Sequence, residues 1–331
     1  MDSAFLSGLA GILAAAAPIL FAAIGETLTE RAGVTNLSVN GAIILTAMVG
    51  FVVAVETNST VLGFLAGAVV GALVTLLLAF ATITLKQSQV AVGFVLALLC
   101  RDLAYFLGNP YMGVSGPIVS YLPIPLLADI PIIGQIFFRH NLPVYASYLL
   151  VFLAFWWLFK TRPGLMLQGI GERPEAAFAR GANVNRMRYF YTVLGGALVG
   201  IAGPLYSLSV KAGWKGTISG LDGIGWIALA ITIFGAWNPM RAALGAYFFA
   251  FLQWLGLVLQ PSLPGIPSQV LQVAPFPLMI LTLLLVNIGN AEWVDRALAA
   301  MPEKTRHFIS RLLRAMRSSP PGALGVPFDN E

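Results

Sequence analysis

Apolar, charge-free runs of about 20 residues recur along almost the whole chain, and no other feature constrains its fold as strongly. A bilayer core offers no water to backbone N–H and C=O groups, so a segment that enters it must close its hydrogen bonds internally. A helix does so within one segment, and about 20 residues at 1.5 Å each cross the roughly 30 Å of hydrocarbon. We place such spans at 6–25, 39–56, 60–85, 90–108, 143–160, 189–210, 223–237, 240–259 and 269–288. The sequence therefore predicts an all-α polytopic membrane protein with about nine (8–10) transmembrane helices. The pair flanking Trp237, Asn238 and Pro239 is the weakest, because 223–237 is short for a crossing and reads equally well as a broken helix. An apolar content of 58% and a mean hydropathy of +0.84 lie far outside the soluble range. Asp2, with no basic residue before a long apolar run, argues against a cleavable signal, so Leu6–Gly25 reads as a retained first span.

Basic residues orient the bundle. Arg31, Lys86, the six from Lys160 to Arg188, Arg241 and the six from Arg296 to Arg317 share one side. Only Arg139, Lys211 and Lys215 fall on the other, and Arg101 lies within a span. Fifteen against three assigns the first side to the cytoplasm, and with it the loop 161–188 and the carboxy terminus. Nine spans then put the amino terminus outside. The membrane domain covers 1–290, and its largest external loop is 109–142, where Pro110, Pro117, Pro123, Pro125 and Pro131 prevent long helix. Residues 291–331 form a basic cytoplasmic tail, with an amphipathic helix over Trp293–Arg317 suited to anionic lipid and a Pro-Pro-Gly end expected to lack fixed structure. The net charge of +5 has the same origin and makes no case for nucleic acid.

Within the loop 161–188, Gly169–Val184 carries Glu172, Arg173, Glu175 and Arg180, in a chain where one residue in ten is charged. Pro174 suits a first helical position, since its missing N–H would have no partner there. Gly181 suits the left-handed turn that ends a helix. Pro174–Arg180 then form about two turns. A short helix held close to the membrane is a lever between a membrane domain and a soluble motor, although charge alone fits a solvated loop as well.

Thr35–Gly41 opens the second span with Asn36, Ser38 and Asn40 at i, i+2 and i+4. That spacing fits an unwound or re-entrant backbone near 30–40 better than one helical face, and such backbone builds small-molecule sites and gates. Hydrogen bonding between helices without any ligand is the alternative. Gln89 is either a pathway residue or a helix start, and Trp226 after the glycine-rich 220–225 run offers a stacking surface for a nucleobase or sugar ring. Arg101 and Asp102 are expensive within a span unless paired or near water. Adjacent residues leave a helix on different faces, so separate partners are expected for the two, or one of them snorkels to the outer surface. Trp156, Trp157 and Trp254 read as interfacial or packing aromatics.

No G-x-x-x-x-G-K-[ST] occurs, so the chain carries no Walker A loop. His140, His307 and the lone Cys100 offer no zinc or redox site and no disulfide, and no nucleophile elbow stands out. An enzyme is not expected.

Three collinear stretches within residues 26–245 carry a family resemblance. ERAGVTNLSVNG, from Glu30 to Gly41, resembles an "ER-x-G-hydrophobic-x-N-L" helix opening. GERPEAAFARGANV, from Gly171 to Val184, is similar to a cytoplasmic coupling loop, and IFGAWNP, from Ile233 to Pro239, precedes Gly245. On these the chain resembles the permease subunits of ABC importers for nucleosides, simple sugars and branched-chain amino acids. Ile124–Gln135 and the QVAVG of Gln89–Gly93 lean towards the nucleoside and simple-sugar branch. The resemblance implies a translocation subunit of a bacterial inner membrane, paired with a second, similar or identical permease. It also implies an ABC ATPase that binds the ATP and Mg, and an extracytoplasmic solute-binding protein. Gly171, Glu172, Arg173, Pro174, Glu175, Ala176, Ala177, Arg180 and Gly181 would then form the ATPase-docking coupling helix, with Arg173, Arg180 and Arg186 bonding acidic groups of the partner. Asn36, Ser38, Asn40, Gln89 and Trp226 would line the pathway. Position 40 is often acidic in such permeases, so Asn40 departs from the pattern and leaves the solute open. A branched-chain amino acid permease, an ion-coupled carrier and a scaffold without transport are the competing readings.

Overall fold

The chain is seen in a computed structural model that describes residues 3–262, positions 270, 277, 280 and 281, and residues 319–329. Its helices are α1 (Ser3–Arg31), α2 (Val39–Thr57), α3 (Thr60–Ala79), α4 (Gln89–Leu107), α5 (Ile133–Phe137), α6 (Leu142–Lys160), α7 (Arg162–Glu172), α8 (Pro174–Ala179), α9 (Val184–Leu205), α10 (Ile224–Phe234) and α11 (Pro239–Leu259). Single π-helical turns, Phe80–Thr84 and Tyr206–Val210, prolong α3 and α9. Seven of these helices are long and apolar enough to cross a membrane.

The difference from nine has two sources. The eleven residues of α10 rise only about 16 Å, half of the hydrocarbon thickness, so this helix does not cross alone. The span at 269–288 and the helix expected over 293–317 lie outside the described residues apart from positions 270, 277, 280 and 281.

Two helices run further than hydropathy suggests. The polar turns of α1 from Glu26 to Arg31 stay helical because they are inside the bundle, where Thr27 and Thr29 donate to the carbonyls of Ala23 and Gly25 one turn back. At its start α9 takes in Arg186 and Arg188, because the Asn183 side chain accepts the Arg186 N–H and caps the helix.

The core lies along α1, α2 and α9, with Ile19, Leu20, Ile24, Ile43 and Ile44 almost fully enclosed. Lipid tails are as apolar as leucine, so small residues that allow close backbone approach hold membrane helices together. Here Gly67 and Gly71 of α3 lie against Gly200 and Gly196 of α9, and the Pro204 ring fits between Gly50 and Gly67. A Cβ at Gly67 or Gly71 would collide with backbone. The outward row Val61, Leu65, Val69, Leu73 and Leu76 of α3 is exposed, as a lipid face requires.

Two further expectations are corrected. Arg101 and Asp102 both sit at the surface, as snorkelling implies, but they bond each other instead of separate partners, Arg101 Nε to Asp102 Oδ1 at 3.0 Å. The Pro-Pro-Gly end is not loose. Pro321, Ala323 and Phe328 are buried, and the segment lies across the ends of α1, α7 and α9.

Candidate translocation and docking sites

After Arg31 the chain turns at Gly33 (φ +87°) and runs back along α1. Asn36 Nδ2 reaches Glu26 Oε2 at 3.1 Å, and Glu26 lies five residues, about 7.5 Å, before the end of α1. Asn36 Oδ1 accepts from both the backbone N–H (3.0 Å) and the hydroxyl (2.5 Å) of Ser38, which turns the chain into α2. Gln89, at the start of α4, accepts the Thr35 N–H at 2.6 Å. The alternating polar residues thus satisfy a stretch of backbone that has no helical partners of its own.

Asn40 completes the seam from the other side. Its Oδ1 accepts the N–H groups of Gly223 (2.9 Å) and Gly225 (3.2 Å), and its Nδ2 donates to Asp222 at 2.7 Å. A helix leaves its first N–H groups unpaired. Asn40 therefore caps α10 from 183 and more residues away in the chain, and a Cβ at Gly225 would strike the Asn40 backbone. Asn36, Ser38, Asn40 and Gln89 are all buried and internally bonded. Trp226 stands apart from them: it is 38% exposed, beside Phe94 at 6.4 Å, on the outer surface of α4 and α10.

Asp222, which sequence reasoning passed over, links this seam to a cavity of about 550 Å³. Tyr206, Lys211, Asp222, Gln253, Trp254 and Gln260 contribute the polar and aromatic part of its wall. The signal was an Asp-Gly pair just before an apolar run. Burial, followed by the nearby Lys215, holds the Lys211 ammonium below its ordinary value.

The segment expected to act as a lever folds into α7 and α8. Thr161 caps α7 by accepting the Gly164 N–H at 3.2 Å. The helix stops at Arg173, whose extended backbone is what a following proline favours, and Pro174 starts α8. Gly181 closes α8 at φ +87°, and its N–H donates to Phe178 O at 2.8 Å. Pro174 and Ala177 face inward, while Arg173, Glu175, Ala176, Phe178, Arg180 and Gly181 are exposed on one side. Gly171 is buried, since a Cβ there would strike the Arg31 carbonyl.

Glu172 roots this lever in the bundle. Its carboxylate lies 3.7 Å from Arg31 Nη1, and Arg31 donates to the carbonyls of Trp237 and Ala236, both at 3.3 Å. Ala236 (φ 55°) and Trp237 (φ 53°) are left-handed without being glycine, a costly turn that persists only when its surroundings hold it. Glu30 supplies the rest of that hold by accepting the Trp237 indole N–H. Glu26, Glu30, Arg31 and Trp237 escaped the sequence reading as a cluster because Trp237 is 206 residues from Arg31.

A helical membrane domain with an exposed lever on one side and a polar seam within is the architecture of a translocation subunit. Residues 8–286 match the family described as branched-chain amino acid transport system / permease component, and the chain belongs to that permease family. It is 35% identical over 296 residues to the nucleoside ABC transporter permease protein NupC of Lactococcus lactis subsp. cremoris, covering 85% of this chain and 92% of that protein. It is 34% identical over 285 residues to the guanosine ABC transporter permease protein NupQ of Bacillus subtilis, covering 81% and 88%. It is 36% identical over 262 residues to the putative glucose ABC transporter permease protein TsgC13 of Haloferax volcanii, covering 76% of this chain and 79% of that protein. No solved structure matches the chain.

Proposed function

We propose that this permease subunit carries a nucleoside inward across a bacterial inner membrane, driven by a separate ABC ATPase. The observation that carries the solute is the 35% and 34% identity, over most of the chain, to permeases named for a nucleoside and for guanosine. A simple sugar is the second reading, favoured by 36% identity to a putative glucose permease.

In this reading the carboxy terminus is cytoplasmic, as the distribution of basic residues supports. Helix α8 and its flanks, Gly171–Gly181, dock on the ATPase, which holds the ATP and Mg. Support comes from the exposed Phe178 of the helix, the exposed Arg173 and Arg180 at its two ends, and the ties that root it through Glu172 and Arg31. The stretch 33–40 acts as a re-entrant gate, supported by Asn36 reaching Glu26 inside a span. A second permease closes the pathway over the face that carries Trp226, Phe94 and Asp222. A solute-binding protein delivers its cargo to the side of the 109–142 loop, and Asn36, Ser38, Asn40 and Gln89 exchange their internal bonds for solute and water as the gate opens. The permease performs no chemistry; it converts motion of the motor into exposure of a site.

The test is uptake in proteoliposomes that hold the permease with its native partners. Labelled guanosine, uridine, glucose and leucine are offered in turn with ATP inside and loaded binding protein outside. Nucleoside accumulation that needs ATP supports the proposal. Accumulation of leucine, or uptake driven by an ion gradient without ATP, refutes it.

A further inference from the structure

The segment 321–328 makes more specific contacts than a basic tail near lipid requires. The Ala323 N–H donates to Gly171 O at 2.8 Å, and the Gly322 N–H donates to Glu172 Oε2 at 3.1 Å, so the segment grips the last turn of α7 just before α8. The Gly325 N–H donates to Gly33 O at 3.0 Å, at the turn that leads into Asn36 and Ser38. Arg188 Nη1 donates to Val326 O at 2.8 Å, and the Arg188 side chain is only 1% exposed. Asp329 pairs with Lys86 just beyond.

Phe328 finishes the arrangement. It is 7% exposed and packs with Ile170, Ala177, Ala182 and Val184, and its ring lies 5.7 Å from that of Phe178. Helix α8 has six residues, too few to be stable alone, and Ala177 and Pro174 are the only side chains it buries among the described residues. The one large ring beneath it therefore comes from the far end of the chain. Burying a guanidinium is costly unless its donors find partners; Nη1 of Arg188 bonds this segment, while its Nε and Nη2 have no hydrogen-bond partner among the described residues.

We infer that residues 321–328 form a clasp that fixes the coupling helix α8 to the turn at Gly33, with Phe328 as its positioning residue. Force on α8 then reaches the 33–40 stretch as a rigid-body displacement, whereas an unclasped α8 would yield locally. The inference rests on α8 being the ATPase contact.

The experiment compares wild type, Phe328→Ala and Phe328→Leu in the complex purified with its native ATPase. Three quantities are read: ATPase recovered per permease, solute carried per ATP hydrolysed in proteoliposomes, and hydrogen exchange at the Ala177 and Ala182 amides. Phe328→Ala should retain the ATPase but lower solute per ATP about fivefold, within the span that single changes in a coupling network produce. It should also speed exchange at those two amides while α2 is unaffected, and Phe328→Leu should restore most of both. Unchanged exchange, or transport and hydrolysis falling in parallel, overturns the clasp alone. Loss of the ATPase from Phe328→Ala also overturns it, by making 321–328 part of the docking surface itself. Absence of any ATPase from the wild-type preparation overturns the docking reading, and the clasp with it.

Discussion

Replacing Asn40 by alanine removes three hydrogen bonds at once, to Asp222, Gly223 and Gly225. Asp222 is exposed and regains water, and Gly223 is partly accessible, so their losses are small. Gly225 is buried, and its stranded N–H costs about 1–3 kcal/mol. Alanine returns about 0.5 kcal/mol as a better helix former than asparagine. The net destabilisation is about 2 kcal/mol, concentrated at the start of α10, which for a chain of this size lowers Tm by roughly 3 °C. Asn40→Asp keeps both acceptor bonds but sets a carboxylate against Asp222. Adding Asp222→Asn restores a donor and an acceptor with their roles exchanged. The assay is thermal unfolding of the purified complex combined with transport, treated as a double-mutant cycle. Stability of the exchanged pair should return to within about 0.5 kcal/mol of wild type. An Asn40→Ala protein as stable as wild type, or an exchanged pair no better than Asn40→Asp, would refute the long-range cap.

Trp237→Phe leaves the buried Glu30 carboxyl without its indole donor, and we expect a loss of about 1–3 kcal/mol in thermal stability together with weaker solute coupling. Gly67→Leu should prevent recovery of folded protein, since the added atoms meet Pro204 and the Gly200 carbonyl, while Gly11→Ala, with nothing within 4 Å, should be neutral or slightly stabilising on a melting curve. Burial pushes the His140 imidazole below its ordinary 6.5, against a hydrogen bond to Ile136 O that pulls it up. A depressed folded pKa means stability present above the unfolded value and lost as pH falls through the folded one. Protease cleavage of the 109–142 loop should therefore quicken as pH falls below about 6.5, and His140→Gln should abolish that dependence.

The parts of the molecule written in local chemistry were readable in advance. Charge-free length gave the seven long spans, and Pro174 and Gly181 bracketed α8 within one residue of its observed end. Of the alternating Asn36, Ser38 and Asn40, the first two lie in backbone without helix, where the Asn36 amide takes the Ser38 N–H, whereas Asn40 lies within α2. What escaped depends on distance along the chain. Nothing near Asn40 reveals that it caps α10, and nothing near the Pro-Pro-Gly end reveals that Phe328 lies beneath α8. Hydropathy ended the first span at Gly25 because it counts Glu26 and Glu30 as surface charge, whereas Asn36 and Trp237 bring them partners inside the bundle.

The most direct measurement is recovery of an ATPase with the detergent-solubilised protein from its native membrane, comparing wild type with Glu175→Arg plus Arg180→Glu. Both side chains are exposed, Glu175 on α8 and Arg180 at its C-cap, whereas Glu172 holds Arg31 and Gly322 and would disturb the fold if changed. The account predicts a stoichiometric ATPase with wild type and little with the double variant, at equal permease yield and melting temperature. Equal recovery with both proteins, or none with wild type under mild conditions, would contradict it.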